Sequence, residues 1–236
     1  MEPRDLLIDG RISITCDDYE KVLQSLGWNN WPRSVGDPRQ QYAYDTWHAY
    51  RFLTTVNHTP EPGEKRTAFI SHNRFSKNQA GNKVLPTAIE VGCLMFDFDS
   101  GKLSKTHKDA KNLYTYLKKQ GVPAVALFTG SKGFHIHAKL RPMNFRFHYQ
   151  DNSAESLKTI VRQIQRFLKE KCNLETLDEQ VVGEPKKLAR LPYSWHVSRI
   201  GVNSKRICVP LLEDQLMKWD IGQIVEYSQN PKLLVP

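Results

Sequence analysis

Asp97 and Asp99 stand two apart at the end of an apolar run, Val91-Gly92-Cys93-Leu94-Met95-Phe96. On an extended strand, alternation turns both carboxylates to one face and Phe98 to the other. Two like charges held that close repel unless a cation lies between them, and hard Mg²⁺ or Mn²⁺ suits carboxylate oxygen. Two solvated aspartates at a strand end give the same pattern, so the pair alone does not decide. A second stretch, Phe128-Thr129-Gly130-Ser131-Lys132-Gly133-Phe134-His135-Ile136-His137, combines two glycines with hydroxyls, a lysine and two histidines. Its turn can offer backbone N–H groups and the Lys132 charge to an anion, with the Thr129 and Ser131 hydroxyls as further donors. His135 and His137 share a strand face and suit phosphate, metal or plain packing. A third stretch runs from Leu177-Asp178-Glu179-Gln180-Val181 to Lys186-Lys187-Leu188-Ala189-Arg190-Leu191-Pro192-Tyr193-Ser194-Trp195-His196. It brings another carboxylate, three cations and a histidine into a segment without strong periodicity, where sites tend to be built. A solvated basic loop would look the same.

The elements that must position these groups are visible as periodicities. The run from Val91 reads as a buried strand. A helix is predicted from about Thr106 to Gln120, with Ala110, Leu113, Tyr114 and Leu117 on one face. Thr106 would cap it, Asp109 follows three residues on, and Gly121 sits where helices commonly stop. Ala124 to Phe128 is the next strand, and Phe134 to Leu140 its hairpin partner. Asn152 is placed to cap a helix with Glu155 in its first turn and the stripe Leu157, Ile160, Val161, Ile164, Phe167 and Leu168. Arg206 to Leu212 reads as one strand, followed by a helix from about Glu213. Nearer the start, a Trp-rich segment (Trp28, Trp31, Trp47) includes a helix over Asp17 to Leu26 on Tyr19, Val22, Leu23 and Leu26. Soft boundaries fall at 58–64 and 76–83, rich in punctuating residues.

From residue 91 the order is β-α-β-β-α, an irregular stretch, then β. That order suits an RRM-like or split-βαβ sheet, which hosts polymerases, nickases and RNA binders alike. The expected fold class is therefore α/β (α+β), an RRM-like module packed with an N-terminal α/β lobe. The expected division is 1–90 for the lobe, 91–212 for the module and 213–236 for a C-terminal helix and tail, all within one domain.

Composition narrows the classes. The 236 residues are 39% hydrophobic with 13 Gly and 13 Pro, which excludes disorder and collagen-like repeats. No uncharged apolar run approaches a membrane span, and Met1-Glu2-Pro3-Arg4-Asp5 lacks a secretory pattern, so an intracellular protein away from membranes is expected. Lysine and arginine exceed the acids, 34 − 25 = +9, which favours a polyanionic partner or serves solubility alone. Cys16, Cys93, Cys172 and Cys208 lie far apart with no C-x-x-C pair, so no zinc knuckle is expected.

Taken jointly, the three stretches resemble the motifs of the archaeo-eukaryotic primase superfamily, the catalytic small subunit of primases and their primase-polymerase relatives. That family carries an apolar strand ending in D-x-D, an F-S-G-x-x-G-x-H turn, and an aspartate followed eighteen residues later by the histidine of P-x-S-x-H. Here these are Asp97-Phe98-Asp99, Phe128 to His135, and Asp178 with His196, at the same spacing of eighteen. Lys205-Arg206-Ile207-Cys208-Val209-Pro210-Leu211 resembles the strand that follows, and Arg66-Thr67-Ala68-Phe69 faintly echoes R-E-F-x-F. The match spans about 90–212. The departures are Thr129 for serine, Ser131 where arginine or asparagine is common, no zinc cysteines, and a short segment between the second and third motifs.

The resemblance implies template-directed nucleotidyl transfer. Asp97, Asp99 and Asp178 would be the catalytic and metal-binding acids, holding two Mg²⁺ or Mn²⁺ ions. Thr129, Ser131, Lys132, Gly133, His135, Arg190 and His196 would bind the nucleotide. Lys186, Lys187, Arg199 and Lys205 are candidates for template contacts. Implied partners are a single-stranded DNA template, NTP or dNTP, a primer, and a helicase or large-subunit-like protein. Two other readings remain open. A replication-initiator nickase would use His135 and His137 with one metal and Tyr114 or Tyr116 as nucleophile, leaving the Asp178–His196 spacing unexplained. A non-catalytic RRM-like binder would need exposed sheet aromatics, where this sequence has carboxylates and histidines.

Overall fold

Apolar periods of two and of 3.6 alternate along the chain and lay down strands and helices in turn. The N-terminal part holds β1 (Leu6–Ile8), β2 (Ile12–Ile14), α1 (Cys16–Ser25), β3 (Arg33–Asp37), β4 (Arg39–Ala43) and α2 (Thr46–Asn57). Next come β5 (Phe69–Ser71), β6 (Arg74–Lys77), β7 (Val84–Glu90) and β8 (Cys93–Asp99). They lead to α3 (Leu103–Lys119), β9 (Ala124–Phe128), β10 (Gly133–Lys139) and α4 (Ser153–Lys171). The last part holds β11 (Leu188–Arg190), β12 (Trp195–Val197), β13 (Asn203–Ile207), β14 (Val209–Leu211), α5 (Glu213–Lys218) and α6 (Ile221–Gln229). This computed structural model describes residues 6–8, 12–37, 39–57, 67–77, 80–81, 83–140, 153–197 and 203–232. The first five residues, the 58–64 boundary, parts of the 76–83 boundary, Arg66, the Asn152 cap and Arg199 lie outside the described residues. Among those residues no helix is long and apolar enough to cross a membrane.

Two four-stranded antiparallel sheets dominate, ordered β14-β9-β10-β8 and β11-β5-β3-β4. One face of the first sheet carries Phe96, Phe98, Phe134 and Ile136, packed on Leu113 and Leu117 of α3 and Leu157 and Val161 of α4. Phe98 is fully buried, which contributes ~2–3 kcal/mol. The opposite face carries Met95, Val125 and Leu127 and meets the second core, built on Trp28, Tyr50, Val35 and Ile70 of the N-terminal elements. The sheet thus lies between two apolar layers, and its aromatics are inside rather than displayed to solvent. The mixed α/β class follows from this layering.

Four sequence expectations change in detail. The helix predicted from Thr106 starts a turn earlier, at Leu103. Thr106 is buried, and its hydroxyl points at the Leu103 carbonyl at 2.9 Å and the Lys132 carbonyl at 3.3 Å, so it ties helix to turn instead of capping. The predicted strand from Arg206 to Leu212 splits at Cys208. β13 pairs with β12 while β14 pairs with β9, because the two halves find partners in different layers. The α4 stripe is narrower than its periodicity implies, with Ile160 42% and Phe167 56% exposed. Finally, a split-βαβ sheet sets its last strand beside its first, whereas here β14 flanks β9 and leaves the outer edge of β8 to another segment.

Candidate active site

That edge is where the third acid arrives. On its inner side β8 pairs with β10, matching Asp99 to Gly133, Phe98 to Phe134 and Asp97 to His135. On its outer side residues 176–178 run antiparallel to it. The Asp99 N–H donates to the Thr176 carbonyl at 3.1 Å and the Asp178 N–H to the Asp97 carbonyl at 2.8 Å, with Leu177 bridged to Phe98. Leu177 and Phe98 enter the same core. Alternation then directs Asp178 to the face of Asp97 and Asp99. The charges register this closeness. Burial, then the neighbouring Asp97 and Asp178 carboxylates, push the Asp99 carboxyl up against the pull of Lys132 and His135.

The segment is laid there by buried and charged anchors. Asp109 of α3 is 2% exposed. Its Oδ2 accepts the Glu175 N–H at 2.7 Å, the Thr176 N–H at 2.7 Å and the Thr176 hydroxyl at 2.8 Å. Lys105 pairs with Glu175 at 2.9 Å, and Lys169 pairs with Glu179. Both flanking glutamates are therefore held by cations, while the Asp178 carboxylate accepts only the Gln180 N–H at 2.9 Å among the described contacts. A cleft of about 520 Å³ opens beside it, lined by Asp99, Ser100, Lys132, Asp178 and Gln180.

Asp97 is enclosed more deeply. Burial alone would raise its carboxyl, but the facing His135, with Arg190 and Lys187 behind it, outweighs burial and holds it below the usual carboxylate range. His135 Nε2 lies 3.4 Å from Asp97 Oδ1. Arg190 on β11 donates through Nη1 to the Thr67 hydroxyl at 3.0 Å and lies 5.3 Å over the Phe69 ring. His196 on β12 packs over the turn. A Cβ added to Gly130, whose φ is +88°, would meet the His196 Cβ at 3.0 Å and the Ile207 carbonyl at 3.1 Å. Burial, followed by the charge of Arg190 and then of Arg206 and Lys132, pushes the His196 imidazole down to about 4.

Asp97, Asp99, Asp178, His135, Lys132, Arg190 and His196 are thus brought into one electrostatic neighbourhood. Thr129 and Gly133 shape the turn beside them. Both the N–H and the hydroxyl of Thr129 donate to the Gly133 carbonyl, at 3.0 and 3.1 Å, closing the turn. Gly133 passes so near β8 that a Cβ would lie 1.9 Å from the Phe98 carbonyl oxygen. Ser131 is half-buried on the turn. Lys186 and Lys187 line a second cleft of about 560 Å³ with Phe69 and Glu184, which meets the first at Gln180. The Lys205 backbone belongs to β13.

Sequence reasoning passed over three residues. Asp109 shows only the spacing of a helix-cap acid. Thr67, which accepts from both Arg190 and the Val197 N–H at 3.1 Å, sits in the faint R-E-F-x-F echo. Arg206 lies in the strand resembling the family's next element.

Three hard carboxylate donors on one face, with like-charge pressure on Asp99, fit a small divalent cation by donor chemistry. Among the described residues no three His, Cys, Asp or Glu side chains are already closed into a group that could hold a metal ion by itself. The arrangement is an open face, not a cage. Nor does the nickase geometry form. His137 is fully enclosed, its Nδ1 3.8 Å from Cys93 Sγ and its ring edge-on to Trp28 at 4.9 Å. Tyr114 and Tyr116 lie half-buried against the core on the far face of the sheet from His135.

No family model matches the chain, and no curated protein matches it by sequence. Among solved structures, the polymerase domain of ligase D from Mycobacterium tuberculosis, in complex with DNA, matches with a TM-score of 0.54 at 14% identity. The match covers 93% of this chain and 89% of that one. The chain has a polymerase-domain fold. At this identity the similarity speaks for the course of the backbone, so the polymerase-domain fold leaves the chemistry to be argued from this chain's own side chains.

Proposed function

We propose that this chain is a primase-polymerase of the archaeo-eukaryotic primase superfamily, a template-directed nucleotidyltransferase that makes or extends primers on single-stranded DNA from NTPs or dNTPs. One observation carries the reading. The Asp178 N–H reaches the Asp97 carbonyl at 2.8 Å, so an acid distant in sequence stands beside Asp97 and Asp99 on one face. The polymerase-domain fold and the three motifs support it. The reading takes 1–236 as a single catalytic domain: lobe 1–90, module 91–212, and a C-terminal part 213–236, in which two helices, α5 and α6, stand where the sequence suggested one.

Asp97, Asp99 and Asp178 would hold Mg²⁺ or Mn²⁺. Two such ions, when bound, make the attacking 3′-hydroxyl more acidic and neutralise charge on the leaving pyrophosphate. The chain's own groups do the rest. Lys132, which lines the cleft with Asp99 and Asp178, would hold the triphosphate together with Arg190, His196 and Ser131, where negative charge grows as the bond to the leaving group breaks. His135 keeps Asp97 ionised and oriented. Thr129 fixes the turn that aims Lys132, and Gly133 brings β10 close enough for His135 to face Asp97. Lys186, Lys187 and Lys205 bind template phosphates. A helicase or large-subunit-like partner would deliver the template strand.

The test is synthesis on an unprimed single-stranded template, with NTPs and dNTPs offered separately and Mg²⁺ or Mn²⁺ supplied. Nucleotide-dependent products that vanish in Asp97→Asn while DNA binding persists are the expected result. A covalent protein–DNA adduct without nucleotide incorporation would indicate nicking and overturn the reading.

A further inference from the structure

The β12–β13 pair carries a guanidinium that the roles above leave unused. β13 runs antiparallel to β12, with Ile207 opposite Trp195. Arg206 therefore sits on the same ribbon as His196, next to the Ile207 carbonyl that closes over Gly130. Its Nε is buried without a hydrogen-bond partner, and among the described residues it forms no ion pair. A buried guanidinium N–H left without an acceptor is costly, and a phosphate held by the rest of the fork would offset that cost. Among the described residues no carboxylate takes that place. The acids of the site bear on Arg190 and His135 instead, and the charged groups acting on His196 are Arg190, Arg206 and Lys132, all cations.

From this placement we propose that Arg206 is a phosphate-binding residue, which with His196, Arg190 and Lys132 forms a polyphosphate pocket roofed by the β12–β13 ribbon over the Gly130 turn. The planar fork of N–H donors on arginine suits phosphate oxygens better than a point charge does. An incoming polyphosphate would take the outer N–H groups of the guanidinium and neutralise the crowded cations together. The ligand class is a nucleotide's triphosphate tail or the free polyphosphate, since the pocket contacts only phosphate. The inference deepens the proposed function by adding a substrate-binding residue, yet it is readable without turnover.

The experiment is calorimetric titration of inorganic tripolyphosphate, and separately of dNTP, into the full chain in EDTA. Wild type is expected to bind both. Arg206→Gln should weaken both ~10- to 100-fold, as expected for a lost charge-assisted contact, and Arg206→Lys should recover part of the loss. The exposed Lys171→Gln on α4 serves as control and should leave affinity unchanged. Circular dichroism of each variant separates lost binding from lost folding, and Arg206→Lys keeps the test open if the Gln variant unfolds. Equal affinities for folded Arg206→Gln and wild type, or no tripolyphosphate binding by wild type, would overturn the assignment. Binding that depends on Arg206 in a protein that incorporates no nucleotide would leave the pocket standing and remove the polymerase reading. Incorporation with an unchanged KM for nucleotide in Arg206→Gln would do the reverse.

Discussion

Asp109 holds Thr176 by two hydrogen bonds to one carboxylate oxygen, from the N–H at 2.7 Å and the hydroxyl at 2.8 Å. The same oxygen takes the Glu175 N–H. Two residues further on is Asp178, so a side chain on α3 fixes the path of an acid to the face of Asp97 and Asp99. Asp109→Ala removes the acceptor for three donors. It should cost about 2–4 kcal/mol in urea unfolding and raise the Mn²⁺ concentration needed for half-maximal primer extension. Thr176→Ser, which keeps the hydroxyl, should leave both near wild type. An Asp109→Ala protein with an unchanged unfolding midpoint would mean that the carboxylate does not anchor the segment.

The same residue marks how far sequence could be read. β8, β9 and β10 are legible to within about a residue or two, because their apolar runs are continuous and bounded by turn residues that act locally. The β10 face was legible in part: alternation sets His135 and His137 on one side, and only the pairing with β8 brings His135 opposite Asp97. Asp109 was not, because a cap acid and a buried anchor show the same local spacing and only a partner far along the chain tells them apart. The break at Cys208 and the exposed Ile160 and Phe167 have the same origin. Long-range packing, not local period, decides which side of an element is covered. Asp178 stood in between: no periodicity placed it, and only its spacing to His196 suggested that it belonged with Asp97.

Asp99 is under like-charge pressure from Asp97 and Asp178. A raised carboxyl means that the folded state holds its ionised form less readily than the unfolded chain does, so this group weakens the fold at neutral pH. Asp99→Asn should therefore stabilise the protein by a few tenths to about 1 kcal/mol while abolishing nucleotide incorporation. Added Mn²⁺ should raise the melting temperature of wild type and not of Asp99→Asn. A variant that lost stability, or that still responded to Mn²⁺ as wild type does, would argue against a shared cation at this face.

Three histidines make the fold sensitive to mild acid. Burial pushes His72 down to about 4, against the pull of its hydrogen bond to the Lys187 carbonyl, and sends His137 well below the usual imidazole range. His196 is likewise down to about 4. Below about pH 6.5 the unfolded chain takes up these protons and the folded protein does not, so stability falls as pH drops from about 6.5 toward 4. For the enclosed His72 the loss is ~1.4 kcal/mol per pH unit in that window. Asp97 adds to the loss at lower pH, as its depressed carboxyl finally protonates. The urea midpoint should drop clearly between pH 7.5 and pH 5, and less steeply in His72→Gln. A midpoint flat across that range would mean that these imidazoles are not kept neutral.

The two glycines of the turn should fail differently. At Gly133 a Cβ would stand 1.9 Å from the Phe98 carbonyl oxygen. The obstacle is backbone, which cannot rotate away, so Gly133→Ala must push β10 off β8 at the rung that pairs with Asp99. A loss of ~3 kcal/mol or more is expected, together with loss of incorporation, since His135 would no longer face Asp97. At Gly130 the left-handed φ of +88° costs an alanine ~1–2 kcal/mol, and the contacts to His196 and Ile207 are tight without being impossible. Gly130→Ala should remain folded and instead bind tripolyphosphate more weakly, because the β12–β13 ribbon lifts with its histidine and arginine. Unfolding midpoints and tripolyphosphate affinities measured on both variants separate the two effects. If Gly133→Ala kept the wild-type midpoint, β8 and β10 would not be held this close, and the facing of His135 to Asp97 would go with them.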